Sequence, residues 1–177
     1  FGLYLENKQL VEALEKIVAS LDAKAQEFAH IIKMGRTQLQ DGVPMTLGQT
    51  FKGFANLLRR EIANLNKAAE DLLCINMGAT AIGTGICSEP GYSKLCTEAL
   101  RENTGWNVTL AEDLVEVTSD TSTLVGYSSE LKRIALKAIK ICNDLRLMGS
   151  GPRCGIHALF LPEMQPGSSI MPGKVNP

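Results

Sequence analysis

Leu3, Leu10, Leu14, Ile17, Leu21, Phe28 and Ile31 fall on one seven-residue repeat, interrupted at Asn7 and Lys24. Apolar residues at that spacing share one stripe of an α-helix, so the chain should open on a long amphipathic helix of bundle type, over about 5–32. At 1.5 Å per residue such a rod is roughly 40 Å long. A second stripe, Leu47, Phe51, Phe54, Leu58, Ile62, Leu65 and Leu72, predicts a helix of similar length with Thr46 as its N-cap. A third long helix is expected over about 111–148, with Leu124, Leu131, Ile134, Ala138, Ile141 and Leu145 in the core and a break near 119–123. Helices in globular proteins average about 11–12 residues. Three of more than twice that length bury little of themselves within one subunit, so they should pack against copies from other chains. The expected fold class is all-α, a long-helix bundle, with 1–177 forming one central helical domain.

The segments between these stripes read as connections. Residues 33–45, KMGRTQLQDGVPM, are polar, carry Gly35, Gly42 and Pro44, and are expected to be a loop. Residues 76–86, NMGATAIGTGI, read as a glycine-rich connection whose role is a close helix–loop contact. A short helix over 92–104 should close at Gly105. Beyond Gly149 the chain returns to loop, and only HALFLP, 157–162, could be a strand.

The composition of 177 residues, 45% apolar and 21% charged, suffices for a real core. A formal charge of −1 and the lack of a basic stripe exclude nucleic acid and anionic membranes as natural partners. No apolar run reaches membrane-spanning length. The opening FGLYLENKQL lacks the basic start and apolar stretch of a signal peptide and reads as a helix entered part-way, so the chain is expected to be a piece of a longer one. Five cysteines, at 74, 87, 96, 142 and 154, are odd in number and form no C-x-x-C pair. They are expected to be small buried hydrophobes in a reducing cytoplasm. His30 and His157 have no recognisable metal-binding companions, so neither a metal nor a cofactor is expected. Asn107-Val108-Thr109 matches a glycosylation acceptor by chance.

The closing segment QPGSSIMPGKVNP, 165–177, carries the chemistry. A phosphate-binding loop needs four residues between its glycines and a hydroxyl after the lysine; here five residues separate Gly167 from Gly173, and Val175 follows Lys174. After Gly83 and Gly85 a dinucleotide-binding loop would need glycine where Ser88 stands, and a hydrolase elbow starting at Gly167 would end on Met171. What remains is a Ser168–Ser169 pair close to Lys174 and Asn176. Lysine supplies a point charge, asparagine an amide donor, and loop N–H groups can hold an oxyanion. That set suits a carboxylate. A serine is a poor base in water, but such donors, closed off from solvent, bring its alkoxide within reach.

GSSIMPGKVNP at 167–177 resembles the signature loop of the aspartase/fumarase superfamily; KMGRTQLQDGVPMTLGQTF at 33–51 and NDLRLMGSGPR at 143–153 are similar to further shared regions. Members are homotetramers built on a central helical bundle, with active sites shared between subunits, and they eliminate an amine or water from a succinyl skeleton to give fumarate. The resemblance implies Ser168 as the general base, acting through an aci-carboxylate intermediate. Lys174 and Asn176 would bind the substrate carboxylate, with Ser169 and Val175 contributing through the loop and Thr37 also touching substrate. Gly167 and Gly173 would let the loop close. Gln38 stands where fumarases carry histidine; it can orient a substrate but cannot shuttle a proton at neutral pH. That wording, with Val43-Pro44-Met45, resembles the ammonia-lyases acting on L-aspartate. A class II fumarase acting on malate is the alternative enzyme, and an inactive helical oligomerisation scaffold the alternative without chemistry. Family chains are far longer, so these 177 residues alone are expected to be inactive.

Overall fold

A computed structural model describes residues 1–176. It has the expected helical class, with nine elements in chain order: α1 (Gly2–Glu27), β1 (Ile32–Thr37), β2 (Gln40–Thr46), α2 (Leu47–Asp71), β3 (Cys74–Ile75), α3 (Tyr92–Thr104), β4 (Thr109–Leu110), α4 (Leu114–Ser119) and α5 (Ser122–Met148). The chain divides into two compact units, 1–134 and 135–177. Among the described residues no helix is long and apolar enough to cross a membrane.

In the first unit α1 and α2 pack antiparallel and α5 joins them, with Leu14, Leu65, Ala69, Tyr127 and Ile134 forming a common core. The α1 stripe is shifted from its expected frame. Its buried positions are Asn7, Leu14, Val18, Leu21 and Ala25, while Leu3 and Ile17 are exposed. The buried line keeps a seven-residue repeat, Asn7, Leu14 and Leu21 with Val18 and Ala25, but runs over Val18 and Ala25 instead of Leu3, Leu10 and Ile17, because the partner helices meet this rod along an adjacent strip of its surface. Asn7 therefore lies inside the stripe that it was expected to interrupt. Its Nδ2 donates to Asn66 Oδ1 at 3.1 Å, and its Oδ1 accepts from the Tyr127 hydroxyl at 3.1 Å. Burial pushes the Tyr127 phenol above its ordinary pKa.

Thr46 caps α2 as expected. Its hydroxyl accepts from the Gln49 N–H, and the Gln49 side chain accepts from the Thr46 N–H, a complete capping box. The N-terminal turn then meets the end of α1 with backbone nearly touching backbone, since a Cβ on Gly48 would lie 2.4 Å from Ala25 O and 2.8 Å from Ala29 Cα. Further along, Lys52 and Arg59 both pair with Asp22. The Lys52 hydrogen bond foremost, then the charges of Arg59 and Lys52, outweigh desolvation and hold the Asp22 carboxyl below its usual pKa. Glu61 is buried within the apolar face and pairs with Arg133 of α5 at 3.0 Å. Sequence periodicity gives no sign of it.

The third rod is interrupted as expected: α4 ends at Ser119, and α5 starts at Ser122, where Asp120 accepts from the Ser122 N–H at 3.1 Å. The buried α5 residues are Tyr127, Ile134, Ile141 and Met148, one per heptad. Leu124 and Leu131 were expected in the core and are exposed, because a helix packed along so narrow a line leaves its other apolar positions outside. The cysteines are also not buried as expected: Cys74, Cys87, Cys142 and Cys154 are exposed and Cys96 is half-buried. Cys74 lies in the short β3, Cys87 and Cys154 in loops, Cys96 within α3 and Cys142 at an exposed position of α5.

Two local expectations hold. The short helix spans Tyr92–Thr104 and closes on Gly105 at φ 67°. The glycine-rich stretch is a site of close approach, since a Cβ on Gly83 would meet Val115 Cα at 2.3 Å. HALFLP forms no strand. The strands lie elsewhere: β3 pairs with β4 in parallel, and the segment expected as a loop is the antiparallel β1–β2 hairpin. Its turn is Gln38-Leu39, at φ 50° and 62°. Both residues occupy the left-handed region that two-residue hairpins demand and that normally selects Asn-Gly. Pro44 is tolerated because a two-stranded ribbon leaves an unpaired edge on each strand.

Candidate active site

Each unit carries part of the expected site. In the first, Thr37 ends β1 and Gln38 begins the turn, both exposed at the hairpin tip. The register steps by one between Met34 and Arg36, where Gly35 faces both Gly42 and Val43. Both glycines ease this bulge: a Cβ on Gly35 would lie 3.0 Å from Val43 O, and one on Gly42 would lie 3.2 Å from Gly35 O, close enough that the neighbouring strand would have to give slightly. Below the tip Arg36 stands opposite Asp41, with Nε 3.3 Å from Oδ1.

In the second unit the end of α5 leads into a folded loop. The Ser150 hydroxyl donates to Leu147 O at 2.6 Å and accepts from the Ile156 N–H at 3.1 Å. Met148 O accepts from the N–H groups of Ala158 and Leu159, bringing the following strand of chain back beside the helix end. The closing segment then doubles on itself. Val175 O accepts from the N–H groups of Met164 and Gln165, at 3.0 and 3.2 Å, and the Gln165 side-chain amide donates to Lys174 O at 2.9 Å. These bonds tie the base of the loop.

At the loop tip Met171 O accepts from both Ser168 N–H and Lys174 N–H, at 3.2 and 3.1 Å. The half-buried Ser168 hydroxyl accepts weakly from Ile170 N–H at 3.4 Å, while Ser169 is exposed. The two glycines differ. A Cβ on Gly167 would lie 2.1 Å from Pro172 O, so this position admits glycine alone, whereas nothing lies within 4 Å of a Cβ on Gly173.

Gly173, Lys174, Val175 and Asn176 line a cavity of about 540 Å³ that also takes in Asn143, Arg146, Ser150 and His157. None of the lining residues is acidic, and a lysine, an arginine and two asparagines are among them. Such a cavity favours a carboxylate through charge and directed amide donors. The structure thus brings Lys174, Val175 and Asn176 together. Ser168 and Ser169 are not among the lining residues, and Thr37 and Gln38 stand on the hairpin of the other unit. Sequence reasoning missed Asn143, Arg146 and His157 as neighbours of the loop, although the first two lie in the quoted stretch NDLRLMGSGPR. Among the described residues no three His, Cys, Asp or Glu side chains group to hold a metal ion.

The profile of a family described as lyase matches residues 3–177. The aspartate ammonia-lyase of Escherichia coli K12 is 54% identical over 176 residues, covering 99% of this chain and 37% of the relative. That of Helicobacter pylori is 50% identical over 176 residues, covering 99% of this chain and 38% of the relative. Among solved structures, a fumarate lyase:delta crystallin of Brucella melitensis bound to cobalt superimposes with a TM-score of 0.92 at 48% identity, over 97% of this chain and 37% of that one. A class II fumarase of Schistosoma mansoni gives 0.87 at 30% identity, over 94% and 38% of the two chains. The chain therefore spans just over a third of the length of these relatives.

Proposed function

Because the chain belongs to the lyase family whose profile covers residues 3–177, we propose that it forms the central helical part of an enzyme eliminating ammonia from L-aspartate to give fumarate. The observation that carries this reading is the 54% identity to an aspartate ammonia-lyase over nearly the whole chain, against 30% to a class II fumarase. Gln38, at the hairpin tip, supports the same choice.

In this reading Ser168 removes the proton from the carbon next to a carboxylate. The electrons move into that carboxylate, which becomes an aci-carboxylate with two negative charges; they return as the carbon–nitrogen bond breaks and ammonia leaves. Lys174 and Asn176 hold the carboxylate, and their charge and dipoles count for more as negative charge accumulates. Val175 and Ser169 shape the loop, and Thr37 and Gln38 orient the amino acid. The reaction asks the protein for neither metal nor cofactor in this scheme. The exposed Leu124, Leu131, Leu136 and Ile139 of α5 support burial against other copies, as in a homotetramer with shared active sites. A cytoplasmic setting suits the exposed thiols.

A class II fumarase is the second reading, favoured by the TM-score of 0.87. Incubating the full-length protein with L-aspartate and with L-malate separates the two. Fumarate absorbance should grow from L-aspartate alone; growth from L-malate alone would transfer the assignment to the hydratase. Appearance of fumarate in neither case would leave only a scaffold role.

A further inference from the structure

We propose that Arg36 and Asp41 are positioning residues that hold the hairpin tip, and with it Thr37 and Gln38, in the geometry the substrate meets; this rests on the reading of Thr37 and Gln38 given above. The tip is costly to hold. Gln38 and Leu39 lie at φ 50° and 62°, where a Cβ crowds the backbone, and neither is the glycine or asparagine that such turns select. Strained backbone of this kind persists only where its surroundings fix it. The tip has little packing to do so, since Thr37, Gln38, Leu39 and Gln40 are all exposed.

Directly beneath lie the β1–β2 ladder and a side-chain contact that biases its geometry. After the bulge at Gly35, Arg36 pairs with Asp41 and Thr37 with Gln40, so the ion pair is one step below the turn. The approach is made by Arg36 Nε at 3.3 Å, an ion-pair contact from a planar, delocalised guanidinium whose shape and reach lysine does not reproduce. Asp41 is 70% exposed and Arg36 32% exposed, so the pair contributes little to stability. Its consequence is geometric: it links the strands where the register has just changed and where a one-residue slip would turn Thr37 to the opposite side.

Steady-state kinetics of the full-length protein on L-aspartate test this. Asp41→Asn should lower kcat/KM about tenfold, mostly through KM, because a misplaced contact weakens binding and alignment together. The unfolding midpoint should move by less than about 2 °C. Arg36→Lys keeps the charge but loses Nε and should behave alike, and the exchange Arg36→Asp with Asp41→Arg should recover part of the loss. Values of kcat/KM within about twofold of the parent for both single variants would overturn the assignment. So would full rescue by Arg36→Lys, which would make the effect one of net charge. Gln38→Ala separates the two layers. If it lowers kcat/KM and Asp41→Asn does not, positioning alone is refuted; if Gln38→Ala has no effect, the substrate-facing reading of the tip fails and this inference with it.

Discussion

The Tyr127 hydroxyl donates to Asn7 Oδ1 over 3.1 Å, joining residues 120 positions apart in the sequence. The same asparagine donates to Asn66 at 3.1 Å, so one side chain ties α1, α2 and α5 together beside their apolar core. Hydrogen bonds among buried groups are worth modest net energy, but each leaves a costly orphan when one partner is removed.

Tyr127→Phe therefore should destabilise the protein by about 1 kcal/mol, with Asn7 Oδ1 left unpaired, read as a lower urea midpoint. The change also predicts a pH effect. The folded pKa of Tyr127 is raised by burial, so an unfolded chain loses this proton first as pH rises. The contribution is complete below the ordinary phenol value of about 10 and is lost as pH climbs through the folded pKa. Stability of the parent should fall in that alkaline window, and Tyr127→Phe should show a shallower fall. Equal slopes for the two proteins would place the alkaline loss elsewhere.

Gly48 marks a close backbone approach of α2 to the C-terminal end of α1. Its Cβ would strike Ala25 O at 2.4 Å and Ala29 backbone atoms at 2.8 and 2.9 Å, none of which can rotate away. Gly48→Ala should cost about 1–3 kcal/mol, although alanine favours the helix itself. Gly53, five positions on, has nothing within 4 Å of a built Cβ, and Gly53→Ala should be neutral or stabilising. Thermal melts of the two variants make the comparison; a stable Gly48→Ala protein would mean that the helices can separate at no cost.

The two loop glycines should respond unequally. Gly167→Ala collides with Pro172 O, which lies 2.1 Å from a built Cβ, and must displace the Ser168 backbone next to it. Gly173→Ala meets no atom within 4 Å. On the lyase reading proposed above, turnover of L-aspartate by the full-length protein should fall with Gly167→Ala towards the level of Ser168→Ala, itself down about 10²–10⁴-fold, the span of positioned general-base catalysis. Gly173→Ala should stay much nearer the parent. A Gly167→Ala enzyme with parental kcat would show that the serine does not depend on this packing.

Some of this was legible because its causes are local. Thr46 with Gln49 makes a capping box from residues three apart, and Gly105 supplies a left-handed stop, so both termini followed from a few adjacent side chains. The segment 167–177 was legible as a close spacing of hydroxyl, ammonium and amide, and its proposed chemistry rests on the resemblance of that spacing to a family signature loop. The hairpin was not legible. Its turn is Gln-Leu rather than Asn-Gly, and its pairing rests on a bulge at Gly35 that no alternation pattern announces.

The sequence alone determined where the long helices form, since helix periodicity and caps are set by neighbours along the chain. Which side of each helix is buried was decided only in three dimensions. Val18 rather than Ile17 faces the core, Asn7 is enclosed and Leu131 is left outside, because burial depends on the line along which helices meet, and that line follows the crossing of whole rods. Tertiary structure likewise placed Arg146 beside Lys174 and Asn176 in one cavity, a proximity created by the chain turning back after α5 and invisible to spacing along it.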